Sequence, residues 1–213
     1  MHLIELFREF LQKGGFTSWF ILFAGISLVF VGFERIHFLY FKLRPTSKSS
    51  LDALKAQILK RDYTSALQLC NSVTDAPDMD VVKSGLLAVE SGREAMKSSL
   101  GSAVVEITRK CESKIQIISL LASVATLLGL LGTISGLIKT FAAIADADPA
   151  SKGQLLGEGI AEAMTATAAG LIVGISAMVV HTLCVSKIDD IIGKAKKIGF
   201  DVITLIEQSE REV

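Results

Sequence analysis

Three long stretches of the chain lack the mixture of apolar and charged positions that a water-facing helix needs. Residues 115–138 (IQIISLLASVATLLGLLGTISGLI) carry no Asp, Glu, Lys or Arg. At about 1.5 Å per residue, a helix of that length crosses the roughly 30 Å hydrocarbon layer of a bilayer. Residues 14–33 form a second charge-free run, with Trp19 near one end and Tyr40 beyond the other, and a third apolar run begins near Leu155 and ends near Ser186. The pattern predicts an all-α integral membrane protein with three transmembrane helices, over 14–33, 115–145 and 155–186, and with long cytoplasmic helical extensions. Basic residues set its direction. Arg35, His37, Lys42, Arg44 and Lys48 follow the first span, Arg109, Lys110 and Lys114 precede the second, and Lys187, Lys194, Lys196 and Lys197 follow the third. The positive-inside rule then puts the N-terminus outside and the C-terminus inside. The short link 146–154, with Asp146 and Asp148 against Lys152, suits an external hairpin.

The remaining segments read as polar helices and turns. Residues 1–13 place Leu3, Ile4, Leu6, Phe7, Phe10 and Leu11 among charged positions, the pattern of an amphipathic interfacial helix. Residues 34–114 form a cytoplasmic helical region. Within it, 45–50 punctuates the chain, 51–70 has the spacing of a bent helix or a helical pair breaking at Arg61-Asp62, and 71–80 is an acidic loop around Pro77. From Met79 the helical pattern resumes, and no strong breaker precedes the second span, so one long helix is expected to emerge from the membrane. Residues 187–213 retain Ile188, Ile191, Ile192, Ile198, Val202, Leu205 and Ile206 and predict a cytoplasmic C-terminal helix.

Composition narrows the function. The chain is 50% hydrophobic with a mean hydropathy of +0.50, yet keeps 22 basic and 22 acidic residues, so polar regions accompany the spans. A net charge of zero offers nothing for nucleic-acid binding. Cys70, Cys111 and Cys184 are widely separated and odd in number, which fits reduced thiols and neither a disulfide framework nor a metal site. With no nucleotide motif and no convincing catalytic arrangement, the chain reads as a non-enzyme without a cofactor.

Polar residues inside the spans are the candidates for function. Thr126, Thr133 and Thr140 recur at intervals of seven with Gly129 and Gly136 between them, and such a repeat drifts only about 20° per step around a helix. Small and polar, this stripe suits a neighbouring helix or a narrow wet cavity better than lipid. In the third run, Glu162 is either a boundary residue or an intramembrane carboxylate, depending on where the helix enters the bilayer. Glu162, Ala166, Ala169 and Val173 follow one face, and Thr167, Gly170, Gly174, Ala177 and His181 another. Thr165, one turn from Glu162, is placed to orient its carboxyl group. His181 reads as a packed or interfacial histidine in preference to a second proton carrier. Close helix packing without conduction produces the same glycine signal.

Two segments, LLGLLGTISGLIKTF (127–141) and GIAEAMTATAAGLIVGISA (159–177), resemble the paired central spans of the TolQ/ExbB/MotA proton-channel family, and most closely its ExbB/TolQ branch. The resemblance implies a multi-pass protein of the bacterial inner membrane. It also implies a homopentamer whose second and third spans surround an ExbD/TolR-like single-span partner, in two copies, with a TonB/TolA-like force-transmitting protein beyond. Carried over by position, Thr133, Glu162 and Thr167 belong to the ion pathway or its gating. Thr126, Gly129, Gly136, Thr140, Thr165, Gly170, Gly174 and Ser176 serve the pathway or helix packing. The chain departs from the family where Ala125-Thr126 stands for the usual Ala-Pro and Ile175-Ser176-Ala177 for Ile-Pro-Ala. The alternatives are a MotA-like ion-driven stator, with sodium as its ion in one form, and a non-conducting scaffold held in the lipid bilayer.

Overall fold

The computed structural model describes residues 15–43, 46–73 and 75–211. The amphipathic helix expected over residues 1–13 lies outside them. The described residues form α1 (Gly15–His37), α2 (Lys48–Leu59), α3 (Tyr63–Ser72), α4 (Pro77–Leu87), α5 (Arg93–Glu112), α6 (Ile115–Ala145) and α7 (Lys152–Arg211), with no strand among them. A π-helical turn, Phe38–Lys42, follows α1, and a 3-10 turn, Val89–Ser91, precedes α5. Three helical stretches, within Thr17–Lys42, Arg93–Ala145 and Lys152–Ser209, are long and apolar enough to cross a membrane.

Two sequence expectations are corrected. The long helix expected from Met79 into the second span is broken twice, at Ala88–Gly92 and at Ser113-Lys114. At the first break Gly92 adopts φ +90, which its missing Cβ permits. The second break uses neither glycine nor proline. Lys114 takes a left-handed conformation at φ 65, a geometry that costs a side-chain-bearing residue about 1–2 kcal/mol. Tertiary contacts hold it there. The Arg35 guanidinium donates to the α5 carbonyls of Cys111 at 2.9 Å and Lys110 at 3.3 Å, while Lys114 forms an ion pair with Glu34. The second correction concerns the third span and the C-terminal helix, expected as separate elements at 155–186 and 187–213. They are one uninterrupted helix, α7, because only the surface character changes near Lys187 and no residue there disrupts the backbone bonds.

The chain divides into two compact units, residues 15–34 with 114–182, and residues 35–113 with 183–211. In the first unit α1 and α7 run parallel. A Cβ on Gly25 would lie 3.4 Å from Val173 Cγ2, and one on Gly32 would lie 3.3 Å from Val180 Cγ1. The buried side of α1 is Thr17, Ser18, Ile21, Ala24 and Leu28, at helical spacing. Its other side shows Trp19, Phe23, Ile26, Val29, Phe30 and Phe33 outward.

The second unit is built by different rules. The pair expected around Arg61-Asp62 is present as α2 and α3, with Arg61 at φ 58 and Asp62 accepting a hydrogen bond from Ser65 N at 3.0 Å. Ser47 caps α2 in the same way through Ser50 N at 3.2 Å. At the start of α4 the buried Asp78 carboxylate accepts from Thr46 N at 3.2 Å, Thr46 Oγ1 at 2.7 Å and Met79 N at 3.1 Å. Leu54, Ile58, Met79, Val82, Leu86, Val202 and Ile206 are buried in this unit. Burial pushes the Cys70 thiol up to about 11 and raises that of Cys111, so both are held as neutral thiols.

Candidate functional site

The two central helices meet through residues with almost no side chain. From Ala122 onward the buried face of α6 is Ala122, Ala125, Gly129, Gly132 and Thr140, after the buried Ile115 and Ile118, and in α7 up to Thr182 it is Ala163, Ala166, Gly170, Gly174 and Ala177. The pairing is antiparallel. A Cβ on Gly170 would come within 2.6 Å of Ala125 O and 2.8 Å of Gly129 Cα, and one on Gly132 would stand 2.6 Å from Ala166 Cβ. Further along, a Cβ on Gly136 would lie 3.0 Å from Ala163 Cβ, and Gly159 accommodates Thr140. At the other end Gly174 accommodates Thr126. Backbone contacts this close yield dispersion along the whole seam, the packing mode available where lipid removes the hydrophobic drive for helices to associate.

Thr167 crosses that seam. Its hydroxyl donates to Gly129 O on α6 at 2.9 Å. The remaining hydroxyls bond their own helix: Thr126 to Ala122 O at 3.0 Å, Thr133 to Leu130 O at 2.6 Å, Thr140 to Gly136 O at 2.8 Å, Thr165 to Ala161 O at 2.7 Å and Ser176 to Ile172 O at 2.7 Å. The Thr165 hydroxyl proton is therefore directed to the backbone and away from Glu162. Thr133, Glu162 and Thr167 are half-buried, Thr126, Thr165 and Ser176 are exposed, and Thr140 is buried. Glu162 directly precedes Ala163, the residue that meets Gly136, which puts it one position round α7 from the seam. The threonines expected to form one stripe thus separate. Thr140 and Thr126 pack against Gly159 and Gly174 of α7, while Thr133 borders the interface. Among the described residues no cluster of His, Cys, Asp and Glu is arranged to hold a metal ion.

A groove of about 480 Å³ opens on this pair of helices, lined by Ser119, Ser123, Thr126, Met178, His181 and Thr182 among others. Sequence spacing had singled out only Thr126 and His181 among them. The signal that finds a third is the heptad interval itself, since Ser119 lies seven residues before Thr126.

Fold and seam together define a helical membrane protein with three candidate spans, two of them joined through glycine, alanine and threonine. The chain belongs to the MotA/TolQ/ExbB proton channel family, whose model matches residues 73–197. It is 26% identical over 196 residues to the biopolymer transport protein ExbB homolog of Methanothermobacter thermautotrophicus, covering 92% of this chain and 67% of that one. It is also similar to the biopolymer transport protein exbB1 of Vibrio cholerae, at 24% identity over 176 residues, 82% of this chain and 77% of the relative. Its fold is like that in the structure of C. jejuni MotAB, with a TM-score of 0.63 at 16% identity, covering 92% of this chain and 80% of the other.

Proposed function

We propose that this chain is the multi-span housing of an ExbB/TolQ-like proton channel in a bacterial inner membrane, assembled as a pentamer around two copies of a single-span partner of the ExbD/TolR class. The observation that carries this reading is the seam itself: Thr167 bonds across it to Gly129, and Thr133 and Glu162 stand half-buried at its border, in a chain of a proton channel family. Family membership also favours a channel over an enzyme. In this reading the N-terminus is outside, the C-terminus is inside, and the second unit stands in the cytoplasm. Thr133 and Thr167 hydrate the path of a partner carboxylate, and Glu162 sets the local field. Protonation of the partner carboxylate removes a charge that is unfavourable at a dry interface and frees its helix to move. One charge falling through 100 mV supplies about 2.3 kcal/mol for that motion. The force then passes to a TonB- or TolA-like protein serving the envelope.

The test is proton flux in proteoliposomes holding the complex with its partner. Glu162→Gln, Thr133→Ala and Thr167→Ala are expected to lower it by about 10-fold or more each, the scale of a lost proton-transfer group. Wild-type flux in all three, with intact assembly, contradicts the reading. A MotA-like stator is the second reading, and the likeness to the MotAB fold supports it. Activity that follows sodium and survives collapse of the proton gradient at fixed membrane potential would select it. A scaffold without conduction predicts full partner assembly and no flux from the wild type.

A further inference from the structure

We infer that the groove formed by Ser119, Ser123, Thr126, His181 and Thr182 is a hydrated vestibule at the inner end of the conduction path, in which His181 accepts the proton and passes it to water. The inference rests on the channel reading above and extends it to a place and a residue. Position is its first support. Thr126 and Ser119 continue the seven-residue line from Thr133 along α6, and Gly174 and His181 continue the same line from Thr167 along α7. Each step turns only about 20°, so the groove opens on the side where Thr133 and Thr167 lie.

Its second support is chemical. Three of the hydroxyl protons are already committed: Thr126 to Ala122 O at 3.0 Å, Ser123 to Ser119 O at 3.3 Å and Thr182 to Met178 O at 2.9 Å. What these oxygens offer the groove is therefore acceptor lone pairs, which bind water through its hydrogens and stabilise an excess proton. Volume agrees, since about 480 Å³ holds many waters at about 30 Å³ each. A neutral imidazole has one ring nitrogen that accepts a proton and one that donates it, and His181 is half-buried in the groove wall. Ala122, Leu127 and Met178 complete the lining, and no carboxylate or lysine is part of it. At the same end of the unit the charges of Glu34 on α1 and of Lys114 before α6 are paired with each other. The step is one proton transfer: a water-borne proton adds to the imidazole lone pair, and the imidazolium returns a proton to water on the cytoplasmic side.

Two measurements on the complete complex in membrane vesicles test this. A membrane-impermeant thiol reagent applied from the cytoplasmic side is expected to label Ser123→Cys and Thr126→Cys about 10-fold faster than Leu121→Cys, which lies at a similar depth on the far side of α6 from both, because reaction needs a hydrated thiolate. Equally slow labelling at all three would mean the groove is filled by lipid or protein, and equally fast labelling that water is not confined to it; either overturns the proposal. In flux measurements His181→Ala is expected to conduct about 10-fold less than wild type, with recovery when imidazole is added on the cytoplasmic side. His181→Asn keeps a polar side chain without the exchangeable imidazole and is expected to show the same loss. Wild-type flux in both variants, or a loss that imidazole fails to restore, overturns the relay. Glu162→Gln, Thr133→Ala and Thr167→Ala separate the two levels. If all three conduct normally the channel reading itself fails; if they are blocked while His181→Ala conducts fully, only the vestibule fails.

Discussion

Along the α6–α7 seam of the first unit what is buried is small, and what is exposed is large. In the second unit the buried residues are mostly bulky. The contrast is clearest along α7, which contributes to both. Up to Thr182 its buried positions are Ala163, Ala166, Gly170, Gly174 and Ala177, and its exposed ones include Met164, Leu171, Ile172, Ile175, Met178 and Val179. Beyond Leu183 the buried positions include Ile188, Ile192, Val202, Ile203 and Ile206, and the exposed ones include Asp189, Asp190, Lys194, Lys196 and Lys197. One helix with one backbone geometry obeys two packing codes, and the difference lies in the solvent each code answers. Where water surrounds a helix, burying bulky side chains at roughly 25 cal/mol per Å² drives association. Where lipid surrounds it, that term vanishes, and close backbone approach between small residues takes its place.

The largest effect should come from spoiling the small-residue seam. Gly170→Leu drives its Cβ against Ala125 O and Gly129 Cα, backbone atoms that cannot step aside. We expect it to cost more than about 3 kcal/mol and to abolish assembly, seen as loss of the intact complex by native mass measurement. Gly101, on α5 in the second unit, has nothing within 4 Å of a Cβ. There Gly101→Ala should raise stability by up to about 1 kcal/mol through helix propensity. If the two substitutions behaved alike, the contrast between the units would be wrong.

Next in size is the core of the second unit. Ile58 is fully buried, and Ile58→Ala should destabilise the chain by about 2–5 kcal/mol in a denaturation experiment. A loss below 1 kcal/mol, about one methylene's worth, would mean that this unit too is held by something other than bulk burial.

Smaller effects should appear at the second unit's caps and thiols. The Ser65 hydroxyl and backbone amide beside Asp62 hold its carboxyl below the usual carboxylate range. Because the folded value lies below the unfolded one, this contribution is present above the unfolded value of about 3.9 and is lost as pH falls through the folded value. Asp62→Ala should therefore flatten the acid limb of a stability-versus-pH curve and leave its slope near neutrality unchanged. At pH 7 Cys70, pushed up to about 11 by burial, should react with an alkylating reagent only on unfolding. Rapid labelling of the folded chain would show that this core opens easily.

Much of this organisation was legible in the sequence, and the failures have physical causes. The spans announced themselves because a charge in hydrocarbon is costly, and the α2–α3 corner because Asp62 is a good N-cap. The Ser113-Lys114 break was invisible because its causes, Glu34 and Arg35, lie far away in sequence and act only once the chain has folded. Reading α7 as two elements mistook a change of solvent for a change of backbone. For the candidate site, the seven-residue threonine line runs along the edge of the packed face of α6 and meets it at Thr126 and Thr140. Gly132, whose contact with Ala166 is among the tightest in the seam, lies off that line and was missed. Periodicity identifies a face, while the identity of what covers it is a tertiary fact.

The central claim is that Thr133, Glu162 and Thr167 border an enclosed path and do not face lipid. A structure of the assembled complex in a lipid environment tests it most directly. The account predicts five copies of this chain with those three side chains turned toward a helix of the partner held in the centre. The same three residues turned outward into the acyl chains, or an assembly with no helix inside it, would contradict it.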